Sequence, residues 1–203
     1  MAEIITIQRQ CSLALQVGAA WRAAPPARQR QAVGGVVAGA LVAAAAATVV
    51  PSPTVVALAA VSTIAGLAAL VDVHEHRLPN VLSLLALGAV MAAATYGGLR
   101  TTMDVIVGLF IAALPLFVVR YGKGLAFGDV KFAAVLGAAG GLLHPFAGLV
   151  VVWFAALSSG AYALLRHRSK LALGPWLWAG YVAACAAGVL LVQFGGQTWP
   201  ARL

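Results

Sequence analysis

Seven apolar stretches, most of them near 20 residues long, follow one another along this chain with only short polar joints between them. They fall at roughly 32–50, 53–71, 80–98, 103–120, 127–143, 145–165 and 173–194. At about 1.5 Å of rise per residue, a helix of that length matches a hydrocarbon core about 30 Å thick. Only 9% of the residues are charged and 63% are hydrophobic, whereas a soluble domain carries about 25% charged residues. Lipid is therefore the expected solvent. The ten-residue alternation of a membrane barrel is missing, and 22 glycines suit helices packed backbone to backbone. The expected fold is all-α, a polytopic transmembrane helix bundle of about seven spans.

The basic residues orient that bundle. Arg9, Arg22, Arg28 and Arg30 precede the first stretch, and Arg77 lies between the second and third. Arg120, Lys123 and Lys131 flank the joint between the fourth and fifth, and Arg166, Arg168 and Lys170 that between the sixth and seventh. These joints alternate so as to share one side, leaving Arg100 and Arg202 on the other. Basic residues stay cytoplasmic, so the N-terminus is expected in the cytoplasm and the C-terminus outside. The same alternation requires the fifth stretch to cross. Topology thus explains the net charge of +8, and no nucleic-acid partner is expected.

Residues 1–30 read as a cytoplasmic basic tail or an interfacial helix, with Ile4 to Trp21 fitting either form. They lack the order of a signal peptide, since the arginines follow the weakly apolar stretch. Residues 31–203 then form a single transmembrane unit. Cys11 and Cys185 stand alone, without the spacing of a disulfide framework or a zinc site, and read as small apolar side chains. Small-residue faces such as Gly34 to Gly39 fit packing within one bundle or between copies in a homo-oligomer.

Five acidic residues exist in all: Glu3, Asp72, Glu75, Asp104 and Asp129. An ionisable group in or at the edge of a membrane bundle is costly, so each is a functional candidate. Asp104, at the outer start of the fourth stretch, reads as a helix cap. Asp72 closes the second stretch and Asp129 opens the fifth, both on the cytoplasmic side. Singly, each has a plain structural reading: Asp72 paired with Arg77, Asp129 as an N-cap. Together, two aspartates at one membrane depth form a candidate dyad. Two carboxyls sharing a site keep one proton between them, so one can activate water while the other polarises and protonates the scissile amide. That chemistry needs no metal and no cofactor. His74, Glu75 and His76 are too close in sequence to share a helix face and show no fourth ligand, so no metal site is expected. His144, before Pro145, reads as solvated in an outer turn.

At these residues the chain resembles the prepilin peptidases, the type IV leader peptidases among membrane aspartyl proteases. Asp72-Val-His-Glu-His-Arg-Leu-Pro-Asn80 is similar to the family's aspartate followed seven residues later by proline and a polar residue. Phe127-Gly128-Asp129-Val130-Lys131 is similar to the Gly-x-Gly-Asp-x-Lys signature, with Ala126 in place of its first glycine. Leu173-Gly174-Pro175-Trp176 echoes the Gly-Pro motif before the last helix. The resemblance implies a peptidase domain in which Asp72 and Asp129 are catalytic, with Gly128, Lys131, Pro79 and Asn80 supporting the site or the substrate. Lys131 fits a positive-inside anchor, a partner for Asp129 or a contact to lipid phosphate.

The implied substrate is a prepilin or pseudopilin whose basic leader is cut at the cytoplasmic face of a bacterial inner membrane. Nothing here corresponds to the N-terminal methyltransferase region with paired cysteines of longer family members, so the resemblance implies cleavage without N-methylation, as in the short forms of tight-adherence (Flp-type) pilus systems. Two other readings suit an acid-bearing bundle: a small proton-coupled transporter, and a non-catalytic assembly subunit whose aspartates only cap helices.

Overall fold

The computed structural model describes residues 52–75, 80–122, 125–167 and 172–194, together with Val37; at a few helix-end positions, 73–75 among them, it describes the backbone alone. The described residues form helices joined by short turns, with no strand among them. There are six: α1 Ser52–Glu75, α2 Asn80–Tyr96, α3 Gly98–Tyr121, α4 Phe127–Gly141, α5 Ala147–Arg166 and α6 Gly174–Phe194. They coincide with six of the seven apolar stretches. The remaining stretch, at 32–50, lies outside the described residues apart from Val37, as do the tail at 1–30, Arg77, Pro79 and Lys123.

The main shift in boundary is at α3, which begins five residues before the predicted edge. Gly98 reverses the chain at φ 84°, a left-handed conformation that costs glycine little. The Thr101 and Thr102 hydroxyls then donate to the Gly97 and Gly98 carbonyls at 2.9 and 3.0 Å. Arg100 consequently lies inside a helix rather than in a loop. Asp104 is displaced too: the N-cap is Gly97 and no acid occupies the first turn, so the expected capping role for Asp104 is not realised. At the other end, His167 stops α5 in a left-handed conformation (φ 50°), its amide turned back toward the Ala163 and Leu164 carbonyls.

The central element is α4, which touches every other described helix. Eleven of its 15 residues are buried, and most of them are Ala, Gly or Val. This composition lets its neighbours close in. A Cβ added at Gly108 of α3 would lie 2.5 Å from the Gly137 carbonyl oxygen of α4, and one at Gly148 of α5 would lie 2.5 Å from the Gly108 carbonyl oxygen. Likewise, a Cβ on Gly141 would meet the Asp104 carbonyl oxygen at 2.6 Å. Three helices therefore meet at Gly108 with backbone against backbone, as small-residue packing in lipid allows. Gly108→Val is expected to force them apart, costing about 3 kcal/mol and lowering Tm by roughly 6–12 °C. Thermal unfolding in detergent, compared with Gly160→Ala, checks this, since nothing lies within 4 Å of a Cβ at Gly160.

Antiparallel to α1, α6 is tied to it by three hydrogen bonds. The Gly174 amide donates to Asp72 Oδ2 at 3.1 Å, Trp178 Nε1 to the Ser62 carbonyl at 3.2 Å, and the Tyr181 hydroxyl to the Leu58 carbonyl at 3.2 Å. Cys185, one turn beyond Tyr181, is buried as a small apolar side chain.

The outside of the bundle is as apolar as the inside. Phe110, Leu114, Phe117 and Val118 on α3, and Trp153, Leu157, Leu164 and Leu165 on α5, are exposed. Both helices are long and apolar enough to cross a membrane, while Pro53–Ala69 and Asn80–Tyr96 are apolar but shorter. Water would drive such a surface to associate, whereas acyl chains solvate it. The molecule is membrane-associated.

Candidate active site

Asp72 lies in the last turn of α1 and is only 5% exposed. Its carboxyl meets the beginning of α6. There the Leu173 carbonyl accepts from the Trp176 and Leu177 amides at 3.1 and 3.0 Å, which makes Leu173 the N-cap and Gly174 the first helical residue. The Gly174 amide is one of the four that a helix leaves unsatisfied, and it points to where the macrodipole is positive. A carboxylate is the natural partner, and Asp72 supplies it from 102 residues upstream. The fit is tight: a Cβ on Gly174 would stand 2.7 Å from Asp72 Oδ2 and 3.3 Å from Cγ. Glycine is required here because the carboxyl occupies the space of a side chain.

Asp129 lies in the first turn of α4 and is 9% exposed. The structure corrects the N-cap reading of it. Ala126 is the N-cap, which puts Asp129 at the third helical position, its carboxyl reaching back to the Ala126 backbone amide. That is the acidic half of a capping box, made without the usual hydroxyl half. Ala126 itself sits at φ −76°, ψ 148°, an extended conformation open to any L-residue. Alanine in place of the motif's glycine therefore carries no backbone strain.

Helices α1 and α4 are in contact, and the Asp72 and Asp129 charges interact across that contact. Two motifs 57 residues apart in sequence thus deliver two buried carboxyls to one end of the bundle, each accepting a backbone amide at a helix start. Such an arrangement holds both acids in place by the main chain.

The supporting residues scatter more widely. Gly128, half-buried beside Asp129, is in the first turn of α4, and Asn80 opens α2 as an exposed residue. Lys131 is exposed with its ammonium over the Phe127 ring, 4.7 Å from the centroid. It turns away from Asp129, as positions i and i+2 of a helix do, so the Lys131–Asp129 pairing is not formed. Pro79 lies outside the described residues, and no side chain is described for His74, Glu75 or His76. His144 is exposed as expected, with Nδ1 accepting from the Phe146 amide at 3.2 Å.

Sequence reasoning had Gly174 only as part of a motif echo and missed its contact with Asp72. The one available signal was a glycine directly before a helix-start proline, placed where a Cβ would crowd a neighbour. Arg120 and Phe127, discussed below, were also missed as a cluster, although Phe127 and Lys131 are spaced to meet on one helix face.

Comparison with known proteins gives one match. No curated protein and no solved structure matches the chain, but residues 59–165 match the model of the type IV leader peptidase family. Both aspartates fall inside that stretch, which covers just over half of the 203 residues, and the chain belongs to the type IV leader peptidase family.

Proposed function

We propose that the chain is a membrane-embedded aspartyl endopeptidase that removes the leader of type IV prepilins or pseudopilins, with Asp72 and Asp129 as the catalytic pair. The observation that carries this reading is the meeting of two buried, electrostatically interacting carboxyls at one end of an apolar bundle. In this reading the two like charges interact strongly enough for the pair to keep one proton between them. The ionised member takes a proton from water, whose oxygen attacks the scissile carbonyl. The protonated member donates to that carbonyl oxygen and, in the second step, the departing amine receives a proton. Gly128 beside Asp129, with Pro79 and Asn80, is assigned to supporting the site or the substrate, as the motifs imply.

The membrane placement belongs to the same proposal. Residues 31–203 form the peptidase domain, crossing a bacterial inner membrane about seven times, behind the basic tail of residues 1–30. The positive-inside pattern puts the aspartate end in the cytoplasm, where a leader ahead of an apolar substrate helix emerges from the bilayer. The proposed activity is cleavage alone, leaving the new amino terminus unmethylated.

The test is co-expression with a candidate prepilin in membranes, comparing wild type with Asp72→Asn and Asp129→Asn at matched insertion levels. Loss of the shortened product in both variants, with no methyl group on the wild-type product, supports the proposal. Processing that survives both changes removes the dyad from the mechanism.

A further inference from the structure

Arg120, Phe127 and Lys131 form a cluster to which the cleavage steps above assign no proton or bond. Arg120, in the last turn of α3, holds its guanidinium carbon 4.9 Å from the Phe127 ring centroid and donates to the Leu125 carbonyl at 3.4 Å. Lys131 holds its ammonium 4.7 Å from the same centroid. The two cations are thus within about 10 Å of one another, a Debye length at ordinary salt. Neither has a carboxylate partner among the described residues, and Asp129, in the same turn of α4, is turned inward to Ala126. A single anion placed between the cations would relieve their repulsion.

The surroundings say which kind of anion. The cluster stands at the end of α3, a helix able to cross the membrane, and the end of a spanning helix is where headgroups begin. Phe127 is half-exposed, and Phe117, Val118 and Tyr121 beside Arg120 are exposed, with Phe117 and Tyr121 packed edge to face at 5.6 Å. Aromatic rings next to basic side chains are the usual chemistry of the membrane–water boundary. A free inorganic anion could use the two charges but not the apolar surface next to them. A phosphodiester carrying glycerol and acyl chains uses both.

We propose that Arg120, Phe127 and Lys131 form a headgroup site for an anionic phospholipid at the α3–α4 hairpin, beside the helix start that carries Asp129. This rests on the bundle lying in a bilayer and not on the peptidase reading, so the two stand or fall separately.

The experiment uses the full chain in neutral detergent and follows thermal unfolding while phosphatidylglycerol, phosphatidylcholine or inorganic phosphate is added. Phosphatidylglycerol is expected to raise the midpoint where phosphatidylcholine does not. Replacing both cations, Arg120→Gln with Lys131→Gln, should weaken the phosphatidylglycerol effect about thirtyfold in apparent affinity. Arg100→Gln, at the far end of α3, should leave it intact. If the double variant does not fold, the exposed Lys131→Gln alone should still show about a fivefold loss. Equal stabilisation by both lipids, or a phosphatidylglycerol effect unchanged in these variants, overturns the site. Equal protection by inorganic phosphate overturns the lipid in favour of a free anion.

Discussion

Asp129→Asn is expected to slow leader cleavage about a thousandfold or more, the usual contribution of a positioned acid or base, while the protein still inserts and folds. The structure explains why the two effects separate. Asparagine keeps the size of aspartate and an oxygen that can accept from the Ala126 amide, so the start of α4 retains its cap. What disappears is the charge and the proton that the pair shares. Asp72→Asn is expected to behave alike, its side-chain oxygen still accepting from Gly174. In the proposed mechanism the two carboxyls act as one unit, so the double variant should be no slower than the worse single variant. Rates measured with a purified substrate in proteoliposomes check this. A double variant slower by the product of the single effects would mean that the aspartates act independently.

Gly174→Ala is the second large effect, about a hundredfold loss in kcat with KM nearly unchanged. The new methyl group would stand 2.7 Å from Asp72 Oδ2, well inside van der Waals contact. Asp72 has a short side chain on a helix, so the relief available is rotation of the carboxyl away from its position. Misplacement of a reacting group by about 1 Å is enough for a loss of that size. The backbone at Gly174 is helical and accepts alanine, so the helix itself survives. Kinetics beside Gly160→Ala, which meets nothing, provide the check. Full activity in Gly174→Ala would show that the Gly174 contact does not hold the Asp72 carboxyl where catalysis needs it.

The hydropathy pattern revealed helix positions because lipid demands long apolar runs, and the starts of α2, α4 and α6 at Asn80, Phe127 and Gly174 fall within a residue of expectation. Helix partners were not legible in that way. In a soluble bundle the polar face marks what looks outward. Here Leu136 at the centre and Leu114 at the rim are equally apolar, so composition does not separate core from lipid face. The start of α3 was misplaced because it depends on a left-handed glycine and two threonine hydroxyls, which hydropathy does not register. Of the candidate site, the two aspartates were visible as costly charges at helix ends. Their amide partners were not. Asp129, which singly reads as an N-cap, is the third helical residue instead, and the Asp72–Gly174 bond joins two distant segments that no local pattern connects.

That last bond also orders events in time. Asp72 leaves the ribosome 102 residues ahead of the amide that holds it, an interval of about 5–20 s at typical elongation rates. Until α6 is made and docked, the acid on α1 lacks its bond to the Gly174 amide. A chain made only as far as α5 therefore carries both aspartates and still lacks the helix start to which Asp72 binds.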